Sequence, residues 1–468
     1  MSLAPRRSTA SLDWILISIF FAIVLVGWLM LYTVSYDGNG SEIWFSFDSI
    51  VGKQTMWLGV ALVAFIVCIS LDWRIWSSLA YPIYILTTLS LLAVLIFGKE
   101  IKGASSWFSV MGYSIQPSEL AKWGTALGVS AFLGQTNLDI NRFNKTIAAF
   151  ALFLIPAFLI FLQPDAGTAI IFLSFVVPLY RAGLNPIIYV LGLSLAFIFI
   201  GSLLWSPYIV LIVILLAVYL VMVISAKDRK IPLSIWLMLG LFDLASFTHF
   251  DYRYILILTV GAGIYFFYLA YIQAKYKLLG LSTLIAVLAV TLAFGTSWAF
   301  NNILKHHQRE RLNVWLKPEL SDPHGALYNI IQSKTAIGSG GFSGKGFLDG
   351  TMTRLNYVPE QSTDFIFSIL GEEQGFVGSL SLILLMVALL YRLTVIGERA
   401  TLPFVRYYAY SIAGILFFHF FINIGMTMGI MPVIGIPLPL MSKGGSSLVS
   451  FFIMFGILLK MDQTGRRN

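Results

Sequence analysis

Charge is what this sequence has least of: Asp, Glu, Lys and Arg make up 11% of its 468 residues, while 58% are hydrophobic. With a mean hydropathy of +0.85, that composition lies far outside the soluble range and describes a multi-span membrane protein. A helix crossing the hydrocarbon core uses about 20 apolar residues, so the chain has room for a dozen or more spans and for no large soluble catalytic domain. Cysteine is nearly absent. The single Cys68 lies in an apolar run, which excludes a disulfide framework within the chain and any multi-cysteine metal site, and it reads as core packing. A concentrated basic patch is missing too. The net charge of +8 is dispersed over many loops, so no nucleic-acid partner is expected.

Lipid offers the backbone no hydrogen-bond partner, so spanning elements are helices or a closed barrel, and continuous apolar runs without alternation select helices. Such runs lie near 14–36, 54–71, 75–97, 117–134, 146–163, 165–182, 187–204 and 207–225, then near 233–249, 252–273, 278–300, 364–396, 405–430 and 445–461. These fourteen predict an all-α, polytopic transmembrane helix bundle. Pro164 and Trp205-Ser206-Pro207 either end one helix or kink a continuing one. An even count puts both termini on one side, and cytoplasmic loops hold an excess of Lys and Arg. Placing both ends in the cytoplasm leaves only Lys53, Lys99, Lys102, Arg253 and Lys443 outside, apart from seven basic residues in one long external loop of about 301–363. Two arginines precede the first run as in a signal peptide, but the run is too long and no small-residue cleavage pattern ends it, so it is expected to stay as the first span.

Ionisable groups are costly in a bilayer, so charges within or beside spans are the functional candidates. In Gln116-Pro117-Ser118-Glu119-Leu120-Ala121-Lys122, Pro117 suits a first helical turn, and Glu119 and Lys122, three apart, share a face. They are either a self-neutralising pair that seats the helix or part of a polar substrate cavity. In Gln163-Pro164-Asp165-Ala166-Gly167-Thr168, Asp165 either caps the next helix or lines the same cavity. Asp243 is a lone charge with no evident partner. The external loop carries Lys305-His306-His307-Gln308-Arg309-Glu310-Arg311 and shows no strong helix or strand pattern; its length favours a functional role. Its Gly338-Ser339-Gly340-Gly341-Phe342-Ser343-Gly344-Lys345-Gly346 stretch fails both the P-loop and the dinucleotide fingerprints. The glycines are expected to allow tight turns and close approach to a ligand or to helix ends. In Val358-Pro359-Glu360-Gln361-Ser362-Thr363-Asp364-Phe365, Ser362 or Thr363 can cap the following helix and place Asp364 in its first turn. Asp364 also stands where a large external loop meets the membrane. Later, Pro437-Leu438-Pro439-Leu440-Met441-Ser442-Lys443-Gly444-Gly445 looks like an external re-entrant segment that brings another cation.

In this order, QPSELAK at 116–122, QPDAGTA at 163–169, DPHGALYNIIQSKTAIGSGGFSGKGF at 322–347, VPEQSTDFIFSILGEEQGFVG at 358–378 and PVIGIPLPLMSKGGSS at 432–447 resemble the SEDS family (shape, elongation, division and sporulation). Within it they are closer to the elongation branch, RodA, than to the division branch. The resemblance covers most of the chain apart from a central stretch. It implies a peptidoglycan glycosyltransferase that joins lipid II units into glycan strands at the outer face of the bacterial cytoplasmic membrane. It also implies a class B penicillin-binding transpeptidase and other elongation-complex membrane proteins as partners, besides membrane lipids. The family's essential acid, the Asp of Thr-Asp-Phe, falls on Asp364. A fitting role is general base for the acceptor sugar hydroxyl, which attacks the anomeric carbon as the lipid pyrophosphate leaves. Lys53, Lys122, Arg309, Arg311 and Lys345 are candidate cations for that pyrophosphate, with Lys443 and Glu360 beside the same site. A divalent cation, Mg²⁺ or Mn²⁺, can share the task, although no ligand cluster identifies its place. Glu119 would orient Lys122, and Asp165 would shape the cavity.

The chain departs from the family pattern at Ser362, where the family usually has His, and at Lys443, where it usually has Tyr. Family members typically have about ten spans, so residues 187–277 are expected to hold extra helices between an N-terminal core, 1–186, and a C-terminal core, 278–468. Two other classes of function compete: a lipid II flippase, which should show a midplane polar site and symmetric halves, and a non-catalytic scaffold for the transpeptidase. No convincing internal repeat is found, and the candidate acids lie mostly at the external ends of spans, which favours chemistry there.

Overall fold

The structure is a computed structural model. It describes residues 11–36, 49–101, 104–110, 113–136, 138–246, 251–273, 275–303, 306–321 and 326–465. The described chain divides into two compact units, one built from the residues up to Asn185 and from Asp322 onward, the other from Pro186–Ser321.

The first half of unit one contains α1 (Trp14–Ser35), α2 (Ile50–Ser70), α3 (Trp73–Ser78) and α4 (Ala80–Phe97), followed by three short strands and then α5 (Pro117–Leu133), α6 (Phe143–Leu162), α7 (Ala166–Ile171) and α8 (Val176–Arg181). The strands β1 (Lys99–Ile101), β2 (Ala104–Val110) and β3 (Tyr113–Ile115) form an antiparallel sheet in chain order. The apolar-run scan foresaw no strand, because three to seven residues are too few to register against spans of 20. Unit two holds α9 (Pro186–Leu204), α10 (Pro207–Ser225), α11 (Lys230–Ser246), α12 (Tyr252–Ile272), α13 (Tyr276–Asn302) and α14 (His306–Leu316). Unit one resumes with α15 (Ala326–Ser339), α16 (Thr351–Arg354), α17 (Ile366–Arg399), α18 (Pro403–Thr427) and α19 (Gly445–Gly465).

All fourteen expected runs carry helix. Among the described residues, eleven helices are long and apolar enough to cross a membrane. The other three fall short: α5 and α11 have 17 residues each, about 26 Å at 1.5 Å per residue, and 166–181 is broken by a 3₁₀ turn at Phe172–Phe175. The proline-marked breaks do end helices. Asp165 accepts from the Thr168 N–H to cap α7, and Ser206 accepts from Tyr208 to cap α10, whose first residue is Pro207. In the expected patternless loop the chain forms α14, α15 and α16. The second unit takes in the 187–277 block and continues through α13, which packs against α9 and α10.

Packing follows small residues and aromatics, as it must where lipid supplies no hydrophobic drive between helices. Phe20 of α1, Phe65 of α2, and Phe452 and Phe455 of α19 form one aromatic cluster, with Phe20 4.8 Å and 4.4 Å from the two α19 rings. Cys68 is buried where Gly456 lets α19 approach α2. Asp243 does have a partner: the Thr259 hydroxyl of α12 donates to its Oδ2 at 3.1 Å. At one end of α1, Asp13 caps the helix and is held by Arg392 and Arg399 of α17, and Arg399 also pairs with Asp462 of α19. At the other end of α1, the Thr33 hydroxyl donates to Glu373 of α17, so the two helices run antiparallel, with charged or polar ties at both ends.

Candidate functional site

Asp364 does not lie inside a helix. It occupies a tight turn before α17 in which the amides of Thr363, Asp364 and Phe365 all donate to the Glu360 carbonyl at 3.1 to 3.3 Å. The expected cap by Ser362 or Thr363 is absent. Phe365 stands at the cap with no side-chain bond, and Thr363 Oγ1 turns back to Glu360 Oε2 at 3.2 Å. The half-buried Asp364 carboxylate is thereby held just outside the N-terminus of α17, where the helix dipole favours an anion.

The re-entrant segment, between α18 and α19, supports this turn from the side. The Ser442 hydroxyl donates to the Thr363 carbonyl and accepts from the Leu438 amide, and the Lys443 amide donates to the Ser362 carbonyl at 2.9 Å. Asn423 of α18, fully buried, donates to the Asp364 carbonyl at 2.8 Å and the Ile436 carbonyl at 2.7 Å. Gly435 has φ +72°, and a Cβ there would stand 3.4 Å from Asp364 Oδ2, so this backbone approaches the acid closely and favours glycine for its conformation. Gly444 donates to Gln54 Oε1 of α2 at 3.2 Å, next in sequence to the exposed Lys53.

The same segment reaches the other two motifs. Ile434 lies over Gly167, whose Cβ would come within 2.6 Å of its carbonyl oxygen. Asp165, two residues earlier, accepts from Thr168 N at 3.0 Å and from Gln116 Nε2 of the residue before α5 at 3.0 Å. One turn into α5, the buried Lys122 Nζ lies 2.9 Å from each Glu119 carboxylate oxygen and 2.9 Å from His419 Nε2 of α18, with the Phe451 ring centroid at 5.4 Å. Its three protons are thus directed at protein groups.

The glycine-rich stretch meets helix ends, one of the two options read from its sequence. Gly375 breaks α17 at φ +62°, which would leave the Glu372 and Glu373 carbonyls and the Phe376 and Val377 amides without their usual partners. The 341–346 backbone replaces them. Lys345 N and Gly346 N donate to the Glu372 and Glu373 carbonyls, and Phe376 N and Val377 N donate to the Gly341 and Phe342 carbonyls, all at 2.9 to 3.1 Å. A Cβ on Gly344 would stand 2.1 Å from the Glu373 carbonyl oxygen, so the splice tolerates no side chain there. The buried Glu372 carboxylate locks the adjoining turn by accepting from Lys345 Nζ, Thr351 Oγ1, Met352 N, Thr353 N and Thr353 Oγ1.

Of the candidates read from sequence, the structure brings Asp364, Glu360, Lys443, Asp165, Glu119 and Lys122 around one segment, with Lys53 on the first turn of the neighbouring α2. Lys345 is engaged by Glu372. Arg309 belongs to the second unit, and the side chain of Arg311 lies outside the described residues. Sequence reading missed His419, Asn423 and Gln54. His419 and Asn423 are polar residues one helical turn apart in an apolar helix, the same signal that drew attention to the acids. Among the described residues no group of three or more His, Cys, Asp or Glu side chains is assembled to hold a metal ion.

Comparison with known proteins adds to this geometry. The family model for FtsW, RodA and SpoVE, described as a cell cycle protein, matches residues 13–236 and 210–467. The peptidoglycan glycosyltransferase RodA of Treponema pallidum is 31% identical over 97% of this chain and 98% of its own length. The peptidoglycan glycosyltransferase MrdB of Escherichia coli is 30% identical over 98% of this chain and 96% of its own. A solved chain from work on structural coordination of polymerization and crosslinking by a peptidoglycan synthase complex superposes with a TM-score of 0.62 at 25% identity, covering 98% of this chain and 99% of that one. The crystal structure of Thermus thermophilus RodA superposes at 0.56 with 22% identity, covering 97% and 98%, and supports the fold alone.

Proposed function

The chain belongs to the FtsW, RodA and SpoVE family of cell cycle proteins, and we propose that it is a peptidoglycan glycosyltransferase of the cell-elongation branch, a multi-pass protein of the bacterial cytoplasmic membrane that polymerises lipid II on the outer face. The observation that carries this reading is the seat of Asp364: a half-buried carboxylate beside Gly435, just before α17, whose turn is fixed through main-chain bonds by Asn423, Ser442 and Lys443. A general base must be held within hydrogen-bond reach of the proton it takes, and a turn anchored on three sides provides that.

In the proposed reaction Asp364 removes the proton of the acceptor sugar hydroxyl. The oxygen forms a bond to the anomeric carbon of the lipid-linked donor while the bond from that carbon to the pyrophosphate oxygen breaks, and the lipid pyrophosphate leaves with the electron pair. Lys53 and Lys443, both exposed, are the cations we assign to the departing charge. Glu119 and Lys122 neutralise each other inside the wall of the site, Asp165 ties that wall through Gln116 to the start of α7, where Gly167 packs under Ile434, and Lys345 holds the loop at Glu372. A class B penicillin-binding transpeptidase is the partner assigned for crosslinking, in line with the synthase complex that contains the structural relative.

The test is polymerisation of lipid II in detergent by the purified protein with its transpeptidase partner. Asp364→Asn keeps the shape against Gly435 and removes the base, so glycan polymer should fall by about 10² to 10⁴-fold. Polymer made by Asp364→Asn at the parental rate would remove Asp364 from the mechanism, and a well-folded parent that makes none under any condition would remove the activity.

A further inference from the structure

His419 is a buried histidine on α18, and its two ring nitrogens face different groups. Nε2 lies 2.9 Å from Lys122 Nζ, and Nδ1 lies 3.3 Å from the Pro437 carbonyl oxygen. An ammonium group only donates and a carbonyl only accepts. Nε2 therefore carries the lone pair and Nδ1 the proton, so the ring is a neutral, single tautomer set from both ends. One helical turn further on, Asn423 donates to the carbonyl of Ile436, the residue before Pro437, and to the carbonyl of Asp364 itself. A single face of α18 thus grips two consecutive carbonyls of the re-entrant segment and the backbone of the acid.

We propose that His419 is a positioning residue for glycosyl transfer: as the neutral Nδ1–H tautomer it joins the buried Lys122–Glu119 pair to the Pro437 carbonyl and, together with Asn423, fixes the segment on which Asp364 is seated. The proposal rests on the glycosyltransferase reading for its consequence and on the geometry alone for its structural part. Lys122 is fully buried with its protons directed at Glu119 and His419, so in this conformation it acts on the site through the imidazole. Without His419 the Pro437 carbonyl loses its donor and the Lys122 ammonium loses an acceptor. The turn from Leu438 to Lys443, which holds Ser362 and Thr363, then loosens. Misplacing a base by about 1 Å costs on the order of 100-fold in rate.

The experiment compares the parent with His419→Leu, His419→Asn and His419→Gln in the full chain. In ¹⁵N-histidine-labelled parent, the resonances lost in His419→Leu are expected to be those of a neutral ring protonated at Nδ1; an Nε2–H ring or an imidazolium overturns the proposal. Amide hydrogen exchange at Leu438, Ser442 and Lys443 should quicken in His419→Leu, and unchanged exchange overturns it. In lipid II polymerisation, kcat should fall by about 10 to 100-fold with KM held within about threefold. Asn, which keeps a donor near the Nδ1 position, should retain more activity than Gln, which reaches only toward Lys122. A raised KM with kcat intact would make His419 a substrate contact and overturn the assignment. A parent that makes no polymer counts against the glycosyltransferase reading only, because the imidazole spectrum and the exchange rates still decide the positioning.

Discussion

Removing the Glu372 carboxylate should release the splice at the kink of α17. Five donors converge on it, from Lys345, Thr351, Met352 and twice from Thr353, at 2.6 to 3.3 Å, and the residue is fully buried. Glu372→Ala takes this acceptor from all five and leaves a three-quarters-buried ammonium with only the Thr351 hydroxyl and no counter-charge, and breaking a buried pair on one side costs about 3 to 5 kcal/mol. Glu372→Gln keeps the volume but points an NH₂ at donors. The Thr353 hydroxyl can rotate to accept, while at least one backbone amide cannot, which together with the lost charge costs about 3 kcal/mol. Lys345→Met leaves four of the five donors in place and costs about 2 kcal/mol. The pair substituted together should cost less than the sum by about 1 to 2 kcal/mol, because no ammonium is then left unpaired. Two measurements read this order: thermal unfolding in detergent, and the rate of tryptic cleavage after the exposed Arg354 in the tethered turn. Parental resistance to trypsin in Glu372→Gln, or strict additivity in the double variant, would refute the reasoning.

Two further outcomes follow from the same structure. Gly375→Ala adds a Cβ that would stand 2.3 Å from Gly344 N at a positive φ, so it should unseat the 341–346 backbone and speed amide exchange there at least as much as Glu372→Ala; wild-type exchange would show that the kink does not depend on the loop. At the opposite end of α1, burial raises the Asp13 carboxyl, but bonds from Arg392, the Leu16 amide and Arg399 outweigh it and hold the group at about 2, against an ordinary 3.8. Because the folded value is the lower one, its stabilisation of about 2 kcal/mol is complete above pH 4 and is lost as pH falls through 2. Unfolding temperature should drop across that window in the parent and less in Asp13→Asn, and equal slopes would exclude the linkage.

The sequence alone determined the solvent this protein folds in. So few charges among so many apolar residues admit only helices in lipid, and each of the fourteen apolar runs does carry helix, because a backbone without water bonds to itself within a segment. It also determined which residues stand at helix starts, since Pro117, Pro207 and Asp165 act through local geometry that needs no distant contact. The acids and the Glu119–Lys122 pair were legible for the same reason, as spacing of three on a helix forces them together. Strands of three to seven residues were not legible because they are too short to carry a periodic signal, and the helices within the patternless loop were not legible because prolines and glycines at 318, 323, 325, 338, 340 and 341 interrupt the pattern around them.

What only the tertiary structure decided is how these parts converge. His419 and Asn423 lie some 300 positions in sequence from Lys122, and nothing local says that one ring reaches an ammonium while the next polar residue grips Asp364. The glycine stretch read as close backbone approach either to a ligand or to helix ends; in the fold it completes the broken hydrogen-bond ladder of α17, a role that exists only once Gly375 has broken that helix. Local rules fix where helices begin and which residues share a face. Long-range packing fixes which donor meets which acceptor, and the seat of Asp364 is made almost wholly of such meetings.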